Sequence, residues 1–323
     1  MIPLRDTIRS HSYPVVNNLL IGANVLVFLI QLSLGPDLDR FIFTYGLVPA
    51  KFTHPALAAY FGWASNLFSL LSFMFLHGGF MHLLGNMWSL YIFGDNVEDR
   101  LGPLRYLGFY LLAGLISGLF HMALNMDSQI PTIGASGAIA GVMGAYFILF
   151  PASKILTLIP IIFIPWFVEI PAFVFLGIWF ALQFISAAGS GAATGIAWWA
   201  HVGGFVAGII LLKLLSRVPQ VGLSRKIKAN TAKKTSHRLQ VLHPTASEGS
   251  LDLYGTLPIT AFEALTGTSK YVTVPRGFRR RTLHVKVPPG IREGNTLRLR
   301  HQGRTGPSGE RGDLYLKIQF TTW

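Results

Sequence analysis

Between Val15 and Leu34 the chain runs for twenty residues without a charged side chain, the length an α-helix needs to cross a hydrocarbon core of ~30 Å. Further apolar stretches follow at about 80–94, 106–124, 136–150, 171–186 and 196–215. In lipid the backbone must satisfy its own hydrogen bonds, which leaves helices as the solution for runs of this kind. The sequence therefore predicts an all-α polytopic membrane protein with six transmembrane helices. Only 13% of the residues are charged, about half the share of an ordinary soluble domain.

The charges that remain set the topology. Residues 1–216 hold eight basic and eight acidic residues, whereas 217–323 hold nineteen and six. Arg5, Arg9, Arg100, Arg105, Lys154, Lys213 and Arg217 all fall at one side of the expected spans, leaving Arg40 and Lys51 on the other. Basic residues near span ends stay in the cytoplasm, so both termini are expected there, and a bacterial inner membrane is the expected site. The first 18 residues read as uncleaved, because a long apolar run follows them with no small-residue cleavage site ahead of polar sequence. Residues 35–71 mix prolines and aromatics without a clean period and read as a large, partly embedded loop. The absence of cysteine excludes disulfides, thiolate catalysis and Cys-based zinc sites.

After the last span the pattern changes. Residues 217–250 read as a basic linker, with Arg225-Lys226-Ile227-Lys228 and Lys233-Lys234 among Ser, Thr and Asn. From 251 to 323 apolar residues alternate, as in Leu283, Val285 and Val287 or Leu314, Leu316, Ile318 and Phe320, which predicts the half-buried strands of a small β-rich domain. The basic stretch from Arg276 to Arg281 reads as a solvated turn or as a contact for lipid or an acidic client. No nucleic-acid partner is expected, since a basic tail beside a membrane domain marks the cytoplasmic face.

Within the spans, a few residue choices stand out. In Ile133 to Tyr146, helical spacing puts Ser136, Ala140 and Gly144 on one face and Gly137, Gly141 and Ala145 on the next, so almost no side chain separates this backbone from a neighbour. Taken alone, such a helix is a packing device. His201 heads a second glycine face with Gly204 and Gly208. Packing of the two faces would bring its imidazole to the Ser136 hydroxyl, and a serine becomes an effective nucleophile when a base takes its proton. His82 and Asn86, four apart, share a face from which both can donate to an oxyanion, although a polar pair bridging two helices would look the same. The Ser136 amide, at a helix N-terminus, is a third donor.

With Gly134-Ala135-Ser136-Gly137, His82 to Asn86 and Ala200 to Gly208 in this order, residues from about 14 to 216 resemble the rhomboid intramembrane serine proteases. The resemblance implies a Ser136–His201 dyad without a carboxylate third member, an oxyanion site from His82, Asn86 and the Ser136 amide, and an entrance shaped by His77-Gly78-Gly79. It further implies an ion pair between Glu98 and Arg100, no cofactor or metal, and single-span membrane proteins as substrates. Gly134, Gly137, Gly204 and Gly208 would support the site. The fifth span and the loop 187–195, rich in Gly, Ala and Ser, are the parts expected to move, with Trp198 and Trp199 as interface anchors. Asp252-Leu253-Tyr254, Val285 to Gly290 and Gly309 to Tyr315 resemble the C-terminal peptide-binding domain of DnaJ co-chaperones over 251–323. The J-domain tripeptide is missing. The expectation is an intramembrane serine endopeptidase whose tail binds extended clients; the alternatives are a non-catalytic membrane-protein binding factor and an inert tail.

Overall fold

In a computed structural model of the chain the described residues are 1–8, 10–161, 164–189, 197–219, 222–232, 239–242, 244–246, 250–276, 279–306 and 309–321. Residues 190–195 of the Gly-rich loop and 277–278 of the basic stretch lie outside them. Two compact units result, Met1–Lys233 and Lys234–Trp323.

The first unit begins with strand β1 (Ile2–Asp6) and helix α1 (Val15–Ser33). The stretch expected to be an irregular loop is instead four short helices, α2 (Leu38–Tyr45), α3 (Ala50–Thr53), α4 (Pro55–Phe61) and α5 (Trp63–Ser72). Gly62, with φ of +74°, takes the chain between the last two, which meet at 86°. The absence of a period reflects these breaks, since each helix is too short to repeat a pattern. Next come α6 (Phe80–Leu101), α7 (Pro103–Leu124) and α8 (Ser136–Leu149), then a hairpin of β2 (Lys154–Ile161) and β3 (Ile164–Pro171), and α9 (Ala172–Gly189), α10 (Trp198–Arg217) and α11 (Gly222–Asn230). Among the described residues four helices are long and apolar enough to cross a membrane, α1, α7, α9 and α10, or five if the bent pair around Gly62 is one span. Helix α8 is apolar but has 14 residues, and α6 carries His82, Asn86, Asp95 and Asn96. Length and composition thus give four or five crossings where the sequence predicts six.

Helices α7, α8 and α10 form the centre. A Cβ added at Gly204 would run into the Gly137 carbonyl, one at Gly208 into the Gly141 carbonyl and one at Gly144 into the Phe205 carbonyl. On α7, Ala113 and Ser117 fill the space beside Gly141 and Gly137. Van der Waals contact between bare backbones is one of the attractions left to helices in lipid, where burial of apolar surface gives no advantage.

Polar side chains tie α1 to this centre. Asn17, Asn24 and Gln31 recur every seven residues on one face and are all buried. Asn17 donates to the Leu90 carbonyl at 3.1 Å and accepts from the Tyr106 hydroxyl at 2.7 Å. The Glu98 carboxylate accepts from the Val16 and Asn17 amides at 3.1 and 2.7 Å, satisfying donors that a helix N-terminus leaves open. This corrects the expected Glu98–Arg100 pair: Glu98 is 3% exposed and caps α1. Neither the β1–β2–β3 antiparallel sheet nor α11 was legible as a period. Asp6 of β1 accepts from Tyr146 at 2.5 Å and Asn96 at 2.8 Å, and Lys228 of α11 pairs with Asp99 at 3.6 Å.

The second unit has two sheets. One orders β5 (Thr245–Ala246), β6 (Leu253–Ile259), β10 (Leu314–Phe320) and β9 (Thr296–Leu299); the other orders β4 (Leu239–Val241), β7 (Thr268–Arg276) and β8 (Arg279–Val287). The alternation expected from the sequence buries Val285, Val287, Leu314, Leu316 and Ile318. Helix α12 (Ala261–Thr266) opens with a reciprocal cap between Thr260 and Glu263. Burial pushes the Glu263 carboxyl up, but the Lys270 ammonium at 2.5 Å and the Thr260 amide hold it below its usual value.

Two expectations follow for the first unit. Gly204→Ala sets a methyl against backbone that cannot move aside, so thermal denaturation should reveal a loss of ~3 kcal/mol, the upper range for overpacking. Burial pushes Asp6 up to about 6 from 3.8, against the lowering effect of the Tyr146 hydroxyl. The docked strand therefore holds a proton that the free strand releases, so docking is strongest below 3.8 and weakens as pH rises through about 6. Hydrogen exchange, corrected for intrinsic rates, should show β1 better protected at about pH 5 than at about pH 7.5, and Asp6→Asn should remove the difference.

Candidate active site

Ser136 is the first residue of α8. The chain reaches it through a loop fixed at two points: Leu47 and Thr132 exchange backbone bonds at 3.1 and 2.8 Å, and the Gly134 amide donates to the Phe73 carbonyl at 2.9 Å. Gly134 has φ of +126°, a conformation that side chains other than hydrogen rarely adopt. The helices after residue 35 are thereby joined to the segment that carries Ser136. Lys51, buried between them, donates to the Phe43 and Thr44 carbonyls and lies 4.2 Å from the Phe61 ring centre.

His201 stands one turn into α10. The carbonyl of Ala200 before it accepts from Ser117 of α7 at 2.7 Å, which fixes the backbone of that turn. Its Nε2 lies 2.8 Å from Ser136 Oγ and its Nδ1 lies 2.7 Å from Gln183 Oε1 on α9. For Nε2 to accept the serine proton, a neutral ring carries its hydrogen on Nδ1, and the Gln183 oxygen is there to receive it. The rings of Trp179 and Trp198 enclose the imidazole, each centred 6.0 Å away. An alcohol bonded to a shielded imidazole is the arrangement that general-base activation requires.

Gly134 also gathers the other polar residues. A Cβ built there would lie 2.8 Å from His82 Nε2 and 3.7 Å from Asn86 Nδ2. The Gly78 amide donates to His82 Nδ1 at 3.3 Å, which leaves Nε2 to carry the ring proton. Asn86 Nδ2 is buried with no partner among the described residues. Two donors therefore flank Gly134, two residues before Ser136, and an unpaired buried donor costs ~1 to 3 kcal/mol unless something arrives to accept from it. His77 is interior, 1% exposed, with its ring 5.1 Å from that of His82; the open part of that segment is Gly78 and Gly79. Gly137, Gly204 and Gly208 lie in the contact between α8 and α10.

Two residues of this neighbourhood escaped the sequence reading. Gln31 of α1 clamps the His77 backbone, accepting from its amide at 2.9 Å and donating to its carbonyl at 3.0 Å; the seven-residue spacing of Asn17, Asn24 and Gln31 was the signal available. Gln183 is the lone amide in the apolar run of α9.

Residues 64–218 match the rhomboid domain and residues 251–322 match the DnaJ C terminal domain. The chain carries a rhomboid domain followed by a DnaJ C terminal domain. With its apolar helices this makes it a multi-pass membrane protein. It is 28% identical over 220 residues to Rhomboid protein 1, mitochondrial, of Saccharomyces cerevisiae, covering 65% of this chain and 56% of that protein. Its tail is 34% identical over 77 residues to Chaperone protein DnaJ of Treponema denticola, 24% of this chain and 20% of that one. Another relative, 35% identical over 80 residues, 25% of this chain and 22% of the other, is Inactive RHOMBOID-like protein 8 of Arabidopsis thaliana. The chain thus spans about half, or less, of the length of these curated relatives. A mitochondrial relative gives no support to a bacterial inner membrane in particular.

The clamp on His77 is open to test. Gln31→Met keeps the volume and removes both bonds, and hydrogen exchange at the His77 amide should accelerate by ~10-fold or more while α10 stays protected.

Proposed function

We propose that the chain is an intramembrane serine endopeptidase that cleaves single-span membrane proteins. The observation that carries the proposal is the 2.8 Å contact between Ser136 Oγ and His201 Nε2. In this reading Ser136 attacks the scissile carbonyl as His201 takes its proton. The oxyanion that forms accepts from His82 Nε2, Asn86 Nδ2 and the Ser136 amide. The imidazolium then protonates the departing amine, and a water activated by the same ring releases the acyl group. Loss of one oxyanion donor costs ~2.7 to 4 kcal/mol of transition-state stabilisation. The unpaired Asn86 amide supports this role, because it is satisfied when an oxyanion is present.

The proposal takes α1 and α6 to α10 as six spans, with both termini on the cytoplasmic side. Ser136 and the head of α10 then lie in the outer half of the bilayer, where water and a partly unwound substrate helix can meet. Residues 1–216 form the protease, 217–250 connect it, and 251–323 bind extended client segments by adding them to a sheet edge. No cofactor takes part.

The test uses the purified full chain in detergent with a single-span substrate. Wild type should cleave it and react with a fluorophosphonate at Ser136, and Ser136→Ala should do neither. Cleavage by both would trace the activity to a contaminant. Neither cleavage nor labelling by wild type would favour a non-catalytic binding factor, as the name of the Arabidopsis relative allows for this family.

A further inference from the structure

His201 has two ring nitrogens, and the proposed chemistry uses one of them. The other lies 2.7 Å from Gln183 Oε1. Gln183 is 8% exposed on a helix that is otherwise apolar apart from Ser186, with Trp179 one turn earlier and Phe180 and Ala187 nearby. Trp179 and Phe180 pack on Phe205, with ring centres 6.2 and 4.7 Å away, and Phe184 packs on Trp199 at 6.1 Å, so α9 is seated on α10 on both sides of the histidine. An uncharged amide buried in an apolar helix is costly unless its hydrogen bonds are made. Here one of them is made to the ring that touches Ser136.

Resting on the function proposed above, we propose that Gln183 is a positioning residue for His201: its side-chain oxygen holds the hydrogen on Nδ1 and so keeps Nε2 free to take the Ser136 proton. A neutral imidazole without such a partner divides its hydrogen between the two nitrogens, and the Nε2–H form cannot accept. The bond also fixes the ring plane. When Nε2 gains the serine proton, the Nδ1–H stays where it is and the amide dipole faces the new positive charge. A carboxylate would do this more strongly; a neutral oxygen suits a buried position such as that of Gln183, because no second charge has to be buried. The base is therefore aligned from a neighbouring helix, and only while that helix is seated on α10.

The experiment compares wild type with Gln183→Met, which keeps the side-chain volume and removes the acceptor, and Gln183→Glu, which restores one. With 15N-labelled histidine, the His201 signals, assigned by their loss in His201→Ala, should show one fixed tautomer in wild type with hydrogen on Nδ1. Gln183→Met should show averaging between the nitrogens at an unchanged melting temperature. Fluorophosphonate labelling and kcat should fall by about 10-fold to 100-fold with KM within about two-fold, and Gln183→Glu should recover most of the labelling rate. An unchanged tautomer and labelling rate in Gln183→Met would overturn the proposal, as would a ring already averaged in wild type. If wild type neither cleaves nor labels, the function proposed above fails; a Gln183-dependent tautomer would still uphold the positioning role, and a Gln183-independent one would end it.

Discussion

The structure depends on backbone meeting backbone. Where α8 crosses α10, Gly137, Gly141 and Gly144 face Gly204, Phe205 and Gly208 with no Cβ between their carbonyls. In lipid two helices gain nothing by hiding apolar side chains from each other, so close approach and the dispersion contacts it brings must hold them together. That approach also brings the first turn of α8 and the first turn of α10 within one hydrogen bond, Ser136 to His201. The contact that holds the bundle is therefore the contact that assembles the candidate site. A substitution that spreads the helices would separate the two side chains without touching either.

Around this contact the protein places polar groups in pairs. Glu98 caps α1, Asn17 joins α1 to α6 and α7, Ser117 holds the Ala200 carbonyl, and Gln31 clamps the His77 backbone. Each is a buried group whose partner sits on another segment of the chain, and each would be expensive to leave alone in an apolar interior. Not every group near the candidate site is paired: Asn86 Nδ2, both His77 ring nitrogens and Trp198 Nε1 are buried with no partner among the described residues.

The chain also shows how a membrane bundle is closed at its ends. The β1–β2–β3 sheet reaches the far end of α8 through Asp6 and Tyr146, and the short helices between α1 and α6 are tied by Leu47 to the loop that precedes Ser136. The rigidity of α8 is thus set from both ends, which matters for a helix of only 14 residues.

Much of this was legible in the sequence, and the reason is periodicity. Runs of apolar residues, glycines at intervals of three and four, and alternation in the tail each report a local geometry, because a helix or strand repeats its faces whatever surrounds it. The apolar character of α1, α7, α9 and α10, and the β-rich nature of the second unit, could be read in that way. Tertiary structure alone decided which buried polar group meets which. Glu98 bonds to residues 81 and 82 positions away rather than to Arg100, and Gln183, whose lone amide in an apolar run names no partner, meets a histidine from another helix. A hydrogen bond between helices leaves no period in either one; its existence follows from how the helices pack, and that is fixed by contacts summed over the whole bundle.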